Sequence, residues 1–148
     1  MTLIVICGAT ATGKSDLAVA LAKEIKGEIV NADSMQLYNG MDIGTAKLTL
    51  AERNGIPHHM LDILTVNQDA TVAQYQELAR AKIDELLKAK IPVVVVGGTG
   101  LYIKAILDDL NFPDTDPIVR ENIALEALTL GGDVMPARLS ELDPAAGF

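Results

Sequence analysis

The feature that most constrains the fold is a glycine loop set between an apolar run and an amphipathic segment. The loop reads GATATGKS from Gly8 to Ser15, follows the β-branched run Leu3–Cys7, and leads into a helical pattern at residues 14–26. It fits G-x-x-x-x-G-K-[ST], in which backbone N–H groups turn inward around phosphate oxygens. Lys14 then supplies a full charge to the terminal phosphate, and the Ser15 hydroxyl is offered to Mg²⁺. The sequence therefore predicts a strand, loop and helix that hold a phosphate chain.

Strands alternate with helices over the following residues. Further strands are predicted at residues 28–31, near residues 60–63, and at residues 93–96, where four valines indicate a central strand buried on both faces. Further helices are predicted at residues 71–90, 101–110, 118–130 and 136–142. The alternation predicts an α/β fold, a P-loop NTPase-like parallel sheet flanked by helices.

Apolar spacing predicts which face of each long helix is buried. In residues 14–26 the spacing i, i+4, i+8 selects Leu17, Leu21 and Ile25. In residues 71–90 the predicted buried face comprises Val72, Tyr75, Ala79, Ile83 and Leu86.

The chain changes character at NFPDTDPIVR, where prolines and acidic residues suggest a linker or the entry to a subdomain. Residues 1–111 are predicted to form a P-loop core, and residues 112–148 the start of a helical insertion. Three strong strands are few for a closed domain, so the core is expected to be incomplete and the chain truncated.

Composition narrows the class of protein. The net charge is −8, with 12 basic and 20 acidic residues. That balance argues against a general nucleic-acid binder, although the total leaves room for a local basic surface. Cys7 is the only cysteine, which excludes a disulfide framework and predicts a buried thiol and a cytoplasmic location. Without an apolar run of 18 residues, no membrane association is expected.

A carboxylate is predicted on the same rim of the sheet as the glycine loop. P-loop enzymes commonly place an aspartate after a second apolar strand, but here the strand at 93–96 leads into GGTG. The carboxylate is instead Asp33, just after residues 28–31. Because the carboxyl ends of parallel strands share one edge, Lys14, Asp33 and Thr99 are expected to converge on one crevice. Asp33 is thus a candidate general base, the alternative being a turn or N-cap acid.

Other residues admit simpler interpretations. His58 and His59 are adjacent and lack a third ligand at suitable spacing, which favours packing or hydrogen bonding over a metal site. Tyr38 and Tyr102 are equally compatible with stacking on a base and with core packing. From the loop and Asp33 alone, an ATP-dependent small-molecule kinase and a non-catalytic nucleotide-binding fragment both stay open.

Four motifs together resemble the tRNA dimethylallyltransferase family. They are GATATGKS, ADSMQLYNGMDIGTAK, PHHMLDI and VVVVGGTGLYIKA, in the family's order and at similar spacing. The resemblance covers nearly the whole chain, and the long second motif is very specific. It implies transfer of a dimethylallyl group from dimethylallyl diphosphate to N6 of an adenine beside the tRNA anticodon, with Mg²⁺ accompanying the released diphosphate.

The resemblance also implies a role for individual residues. Asp33 and Thr99 are catalytic, with Asp33 accepting the N6 proton. The tRNA is contacted by Asp33, Ser34, Met35, Gln36, Thr99 and Arg120. The diphosphate is bound by Gly8, Thr10, Ala11, Thr12, Gly13, Lys14 and Ser15, of which Ser15 also binds the metal. Residues 112–148 begin a tRNA-binding insertion, and the complete protein is expected to be a monomer.

Two departures from the family pattern bear on these expectations. Ala9 replaces a common proline in the loop, where only a turn is needed. A basic segment that follows in the family lies beyond the sequence, so this chain by itself is expected to transfer prenyl groups poorly or not at all.

Overall fold

The computed structural model describes residues 2–112, 116–131 and 134–145. The chain divides into two units, Met1–Leu110 and Asn111–Phe148. The strands of the first unit are β1 (Leu3–Cys7), β2 (Glu28–Asn31), β3 (His58–His59) and β4 (Val93–Gly97). Its helices are α1 (Lys14–Ile25), α2 (Val72–Lys88) and α3 (Gly100–Leu107). The second unit contains α4 (Pro117–Leu130) and α5 (Val134–Leu142). The roles predicted for the two parts of the chain stay predictions.

The four strands form one parallel sheet in the order β1-β4-β2-β3. Val95 of β4 lies opposite Val5 of β1 on one side and Val30 of β2 on the other. Every residue of β4 is buried, as predicted for a central strand. The predicted parallel sheet flanked by helices is therefore confirmed.

Two apolar clusters cover the two faces of the sheet. Successive side chains of a strand point to opposite faces, so Val93 and Val95 join one cluster while Val94 and Val96 join the other. Each fully buried valine contributes about 1.5–3 kcal/mol by leaving water. The first cluster includes Tyr75, Ala79, Ile83 and Leu86 of α2, as the apolar spacing predicted, while the fifth predicted residue, Val72, is only partly buried against it.

The buried face of α1 differs from the prediction. Leu17 is 58% exposed, and the buried residues of the helix are Ala18, Val19 and Ala22. Leu21 and Ile25 are only partly buried beside them. The helix packs on the sheet through these smaller side chains, which allow a close approach. Leu17 lies on another side of the helix and faces outward.

Two further local predictions were wrong. Cys7 is exposed rather than buried, because it ends β1, the strand at one end of the sheet order. The third strand lies at His58–His59 rather than near 60–63. It stops there because Met60 and Asp62 have positive φ angles of 60° and 56°, which bend the chain away from extended geometry.

In the second unit, α4 begins with a side-chain cap. The Asp116 carboxylate accepts hydrogen bonds from the N–H groups of Ile118 at 2.8 Å and Val119 at 3.4 Å. Arg138 of α5 pairs with Glu126 of α4. No helix in the described parts of the chain is long and apolar enough to cross a membrane.

Candidate functional site

A cavity of about 110 Å³ opens at the carboxyl ends of the parallel strands. Its lining includes the polar side chains of Lys14, Ser15 and Asp33. Four large apolar side chains also line it, and we call them the apolar wall: Ile29, Leu48, Leu61 and Val96. The cavity therefore brings a cation, a hydroxyl and a carboxylate next to an apolar wall.

The glycine loop forms the polar end of this cavity. Gly13 has φ 78° and ψ 16°, a left-handed conformation that glycine adopts without a Cβ penalty, and α1 begins at the next residue. The partial positive charge of the helix N-terminus thus lies directly after the loop. Lys14 Nζ and Thr12 Oγ1 both donate to the Ala9 carbonyl, the latter at 2.8 Å. Lys14 therefore lies beside the loop backbone, where it can reach an anion bound there.

Asp33 and Thr99 are joined through the loop after β2. The Ser34 N–H donates to Thr99 Oγ1 at 3.1 Å, and the Thr99 N–H donates to the Ala32 carbonyl at 3.2 Å. Asp33 Oδ1 accepts the Met35 N–H at 2.9 Å, which leaves the second carboxylate oxygen for other partners. The structure thus brings Lys14 and Asp33 into one cavity and holds Thr99 against the loop that carries Asp33.

Buried polar groups fix the end of β2. Asn31 Nδ2 donates to the carbonyls of Asp33 at 3.0 Å and Met60 at 3.1 Å. The hydroxyl of Tyr75 donates to the Asn31 carbonyl at 2.8 Å. These bonds tie the backbone of Asp33 to the end of β2 and, through Asn31, to α2.

Of the two tyrosines with an open interpretation, Tyr102 belongs to the core. It is buried and its ring stacks on that of Tyr75, with centroids 3.8 Å apart and an interplanar angle of 13°. Burial, with the nearby Tyr38 and Asp33, raises the pKa of Tyr102. Tyr38 is half-buried, and its hydroxyl oxygen accepts the Ala70 N–H at 3.3 Å.

The other residues with a predicted tRNA role occupy different settings. Gln36 lines the cavity, and its Nε2 donates to the Thr45 carbonyl at 2.9 Å. Met35 is 47% exposed. Arg120 lies on α4 in the second unit. Their contacts with tRNA stay predictions.

A buried lysine, Lys47, holds the segment after Gln36. Its Nζ donates to the Tyr38 carbonyl at 2.8 Å, to Asp42 Oδ1 at 2.8 Å and to Asp62 Oδ1 at 2.6 Å. Burial disfavours the ammonium form, but the hydrogen bonds and charges of the two aspartates outweigh it and raise the pKa of Lys47. We call Lys47, Asp42 and Asp62 the lysine clamp.

The two histidines form separate hydrogen bonds, as predicted for this pair. The Nδ1–H group of His58 donates to the Ile56 carbonyl at 2.8 Å, and Nε2 of His59 lies 2.6 Å from Glu28 Oε2. Burial lowers the pKa of His58, with smaller contributions from Arg53 and His59 against an opposing one from the Ile56 hydrogen bond. His58 also lines the cavity. Because its pKa is lowered, its ring is neutral there near pH 7.

The oxygen ligands at the polar end suit a hard divalent cation. The Ser15 hydroxyl and the Asp33 carboxylate line the same cavity. Mg²⁺ is commonly bound by one or two protein oxygens together with substrate phosphates and water. No cluster of three His, Cys, Asp or Glu side chains that could hold a metal occurs among residues 2–112, 116–131 and 134–145. The donors therefore fit a cation shared with a phosphate ligand.

Two residues of the site, Asn31 and Lys47, were not predicted from the sequence, and the position of His58 in the cavity lining was not predicted either. Asn31 could have been noticed, since it is a polar residue that directly follows the apolar pair Ile29 and Val30. The lysine clamp could not have been predicted in this way, because Asp42 and Asp62 lie 5 and 15 residues from Lys47, spacings that match no regular periodicity.

Comparison with known proteins gives one family match and several similar relatives. A family model described as IPP transferase matches residues 36–147. The tRNA dimethylallyltransferase of Streptomyces avermitilis is 56% identical over 98% of this chain and 46% of the relative. That of Thermobifida fusca is 55% identical over 98% of this chain and 47% of the relative. The chain spans about half the length of the curated relatives it matches.

Solved structures agree with these matches. The full-length tRNA isopentenylpyrophosphate transferase from Bacillus halodurans has a TM-score of 0.74 and 40% identity, over 99% of this chain and 49% of that one. A eukaryotic dimethylallyltransferase acting on tRNA has a TM-score of 0.81 and 28% identity, over 97% of this chain and 36% of that one.

Proposed function

Because this chain belongs to the IPP transferase family, we propose that it carries the dimethylallyl diphosphate site of a tRNA dimethylallyltransferase. In this proposal residues 1–111 form the catalytic core, and residues 112–148 begin a tRNA-binding insertion. The observation that carries the proposal is the two-part lining of the cavity. Its polar end suits a diphosphate, and its apolar wall suits a five-carbon group.

The size of the cavity supports this assignment. A volume of about 110 Å³ is of the same order as the engineered cavity of about 150 Å³ that binds benzene. Burying five carbons at about 0.8 kcal/mol each yields up to roughly 4 kcal/mol, before the cost of ordering the ligand. The apolar wall should therefore strengthen binding of a prenyl diphosphate relative to a diphosphate without that group.

The proposed reaction is a substitution at the allylic carbon. The N6 amine of adenine attacks C1, a C1–N6 bond forms, and the bond between C1 and the diphosphate oxygen breaks. Asp33 accepts the proton that leaves N6. The electron pair of the broken bond departs with the diphosphate, whose charge is stabilised by Lys14 and the backbone N–H groups at the start of α1.

Mg²⁺ would be held by Ser15, with Asp33 in the same cavity, and would supply further positive charge to the departing diphosphate. Lys14 supplies a fixed charge of its own. The other loop residues with a predicted role, Gly8 and Thr10 to Gly13, hold the phosphate oxygens through their backbone N–H groups.

The acceptor is proposed to be an adenine of tRNA turned out of its stack. A stacked base could not bring N6 to a carbon held inside a cavity. Ser34, Met35 and Gln36 are proposed to face that base together with Thr99, and Arg120 to contact the tRNA.

Calorimetric titration of the chain with dimethylallyl diphosphate and with ATP tests the ligand. We expect binding of the prenyl diphosphate, weakened about 10- to 100-fold by Lys14→Ala through loss of a charge-assisted contact. Lys23→Ala, on the exposed side of α1, is the matched control and should bind normally. Tight binding of ATP with none of the prenyl diphosphate would favour a kinase. An unchanged affinity in Lys14→Ala would rule out the loop as the site.

A further inference from the structure

The lysine clamp joins two segments of the cavity wall. Thr45, Ala46 and Leu48, the residues on either side of Lys47 in the chain, line the cavity. Leu61, the neighbour of Asp62, lines it too. The Lys47 side chain itself is 2% exposed and is taken up by its three acceptors. The clamp therefore ties together the backbone on both sides of the apolar wall.

Backbone hydrogen bonds also join these segments to each other. The Lys47 N–H donates to the Asp42 carbonyl at 3.0 Å, and the Asp62 N–H donates to the Gln36 carbonyl at 3.3 Å. Arg53 lies 4.0 Å from the second carboxylate oxygen of Asp62. The segment at residues 36–48 is irregular between these points, so side-chain bonds supply the order that a strand or helix would otherwise supply.

We infer that Lys47 is a positioning residue that holds Leu48 and Leu61 at the spacing needed to pack against the prenyl group of the substrate. This inference rests on the proposed function. It assigns to Lys47 the selectivity for a prenylated diphosphate over an unprenylated one, while Lys14 and the glycine loop provide affinity for the diphosphate itself.

The burial of Lys47 fits this role better than a purely stabilising one. Only the lysine of the clamp is fully buried, and the cost of desolvating its ammonium group opposes its attraction to the two partly exposed aspartates, so the ion pairs add little net stability. An apolar side chain at position 47 could fill the space but would not pin Asp62 and the Tyr38 carbonyl. The hydrogen bonds of the clamp are therefore suited to holding the apolar wall in a single geometry.

The test compares two diphosphates of equal charge, dimethylallyl diphosphate and methyl diphosphate, by calorimetry on the same chain. Lys47→Met keeps the length of the stem and removes all three hydrogen bonds. We expect it to reduce the preference for dimethylallyl diphosphate about tenfold, equivalent to lost contact with about two of the five carbons. Affinity for methyl diphosphate should stay within twofold. Hydrogen exchange should speed up at residues 36–48 and 60–64 and not in β4.

Three further variants make the test specific. Lys47→Arg retains charge and donors and should restore most of the preference. Lys88→Met, on an exposed position of α2, is the matched control and should change neither ligand. Asp42→Asn removes only the more exposed carboxylate, 60% accessible, and should show a smaller effect in the same direction if Lys47→Met fails to fold.

The outcomes separate this inference from the proposed function. Equal weakening of both ligands in Lys47→Met, or an unchanged preference, would overturn the role of Lys47. A wild-type chain that binds the two diphosphates equally would instead overturn the proposed prenyl site, and this role with it.

Discussion

Replacing Gly97 by alanine should force apart the two strands whose ends carry the candidate site. A Cβ built on Gly97 would lie 2.2 Å from the carbonyl oxygen of Ala32 and 2.3 Å from its carbonyl carbon. Real Cβ atoms essentially never approach another atom within 3.0 Å. Because both contacts are with backbone, no side-chain rotation relieves them, and the end of β2 must move.

The loss of stability caused by Gly97→Ala can be estimated from the hydrogen bonds that Ala32 makes where β2 meets β4. The Ala32 N–H donates to the Val96 carbonyl at 2.7 Å, and the Thr99 N–H donates to the Ala32 carbonyl at 3.2 Å. Overpacking costs about 1–3 kcal/mol, and each weakened hydrogen bond about 0.5–1.5 kcal/mol. The sum, about 2–6 kcal/mol, is a large part of the roughly 5–15 kcal/mol by which a domain is stable.

Urea unfolding followed by circular dichroism measures this cost. With a slope of about 2 kcal/mol per molar urea, Gly97→Ala should lower the midpoint by about 1–3 M. Gly100→Ala is the matched control, since its added Cβ meets no atom within 4 Å beyond its chain neighbours and the backbone of its own helix, and alanine suits the first residue of α3. A Gly97→Ala midpoint equal to that of Gly100→Ala would refute the argument that the close approach of Ala32 requires glycine at position 97.

Two more predictions concern the cavity. In the complete protein, Asp33→Asn should lower single-turnover prenyl transfer about 10²- to 10⁴-fold, with dimethylallyl diphosphate binding nearly retained; near-normal turnover would make Asp33 a turn residue. Burial lowers the pKa of His58, so its stabilising contribution is complete above about pH 6.5 and is lost as pH falls through the folded-state pKa. Urea midpoints between pH 7.5 and 5 should therefore fall more for wild type than for His58→Asn, and parallel curves would contradict this.

Much of the fold could be predicted because its signals are local. The glycine loop, the four valines of β4 and the apolar spacing of α2 each lie within one short segment, and the structure confirms the elements that they predicted. The parallel sheet then followed from the alternation of these elements. The buried face of α1 and the burial of Cys7 were predicted wrongly. Apolar spacing within one segment does not reveal which other helices and strands pack against it.

The site divides in the same way. The sequence by itself determined the glycine loop before α1, because Gly8, Gly13, Lys14 and Ser15 lie within eight consecutive residues and local backbone geometry is enough to form it. Only the tertiary structure decided how Ser34 meets Thr99 across 65 residues, how Gly97 allows Ala32 to approach, and how Lys47 joins Asp62. These contacts depend on the order β1-β4-β2-β3 and on irregular loops. No periodicity encodes them, since long-range pairing is set by the packing of the whole sheet rather than by the residues next to each contact.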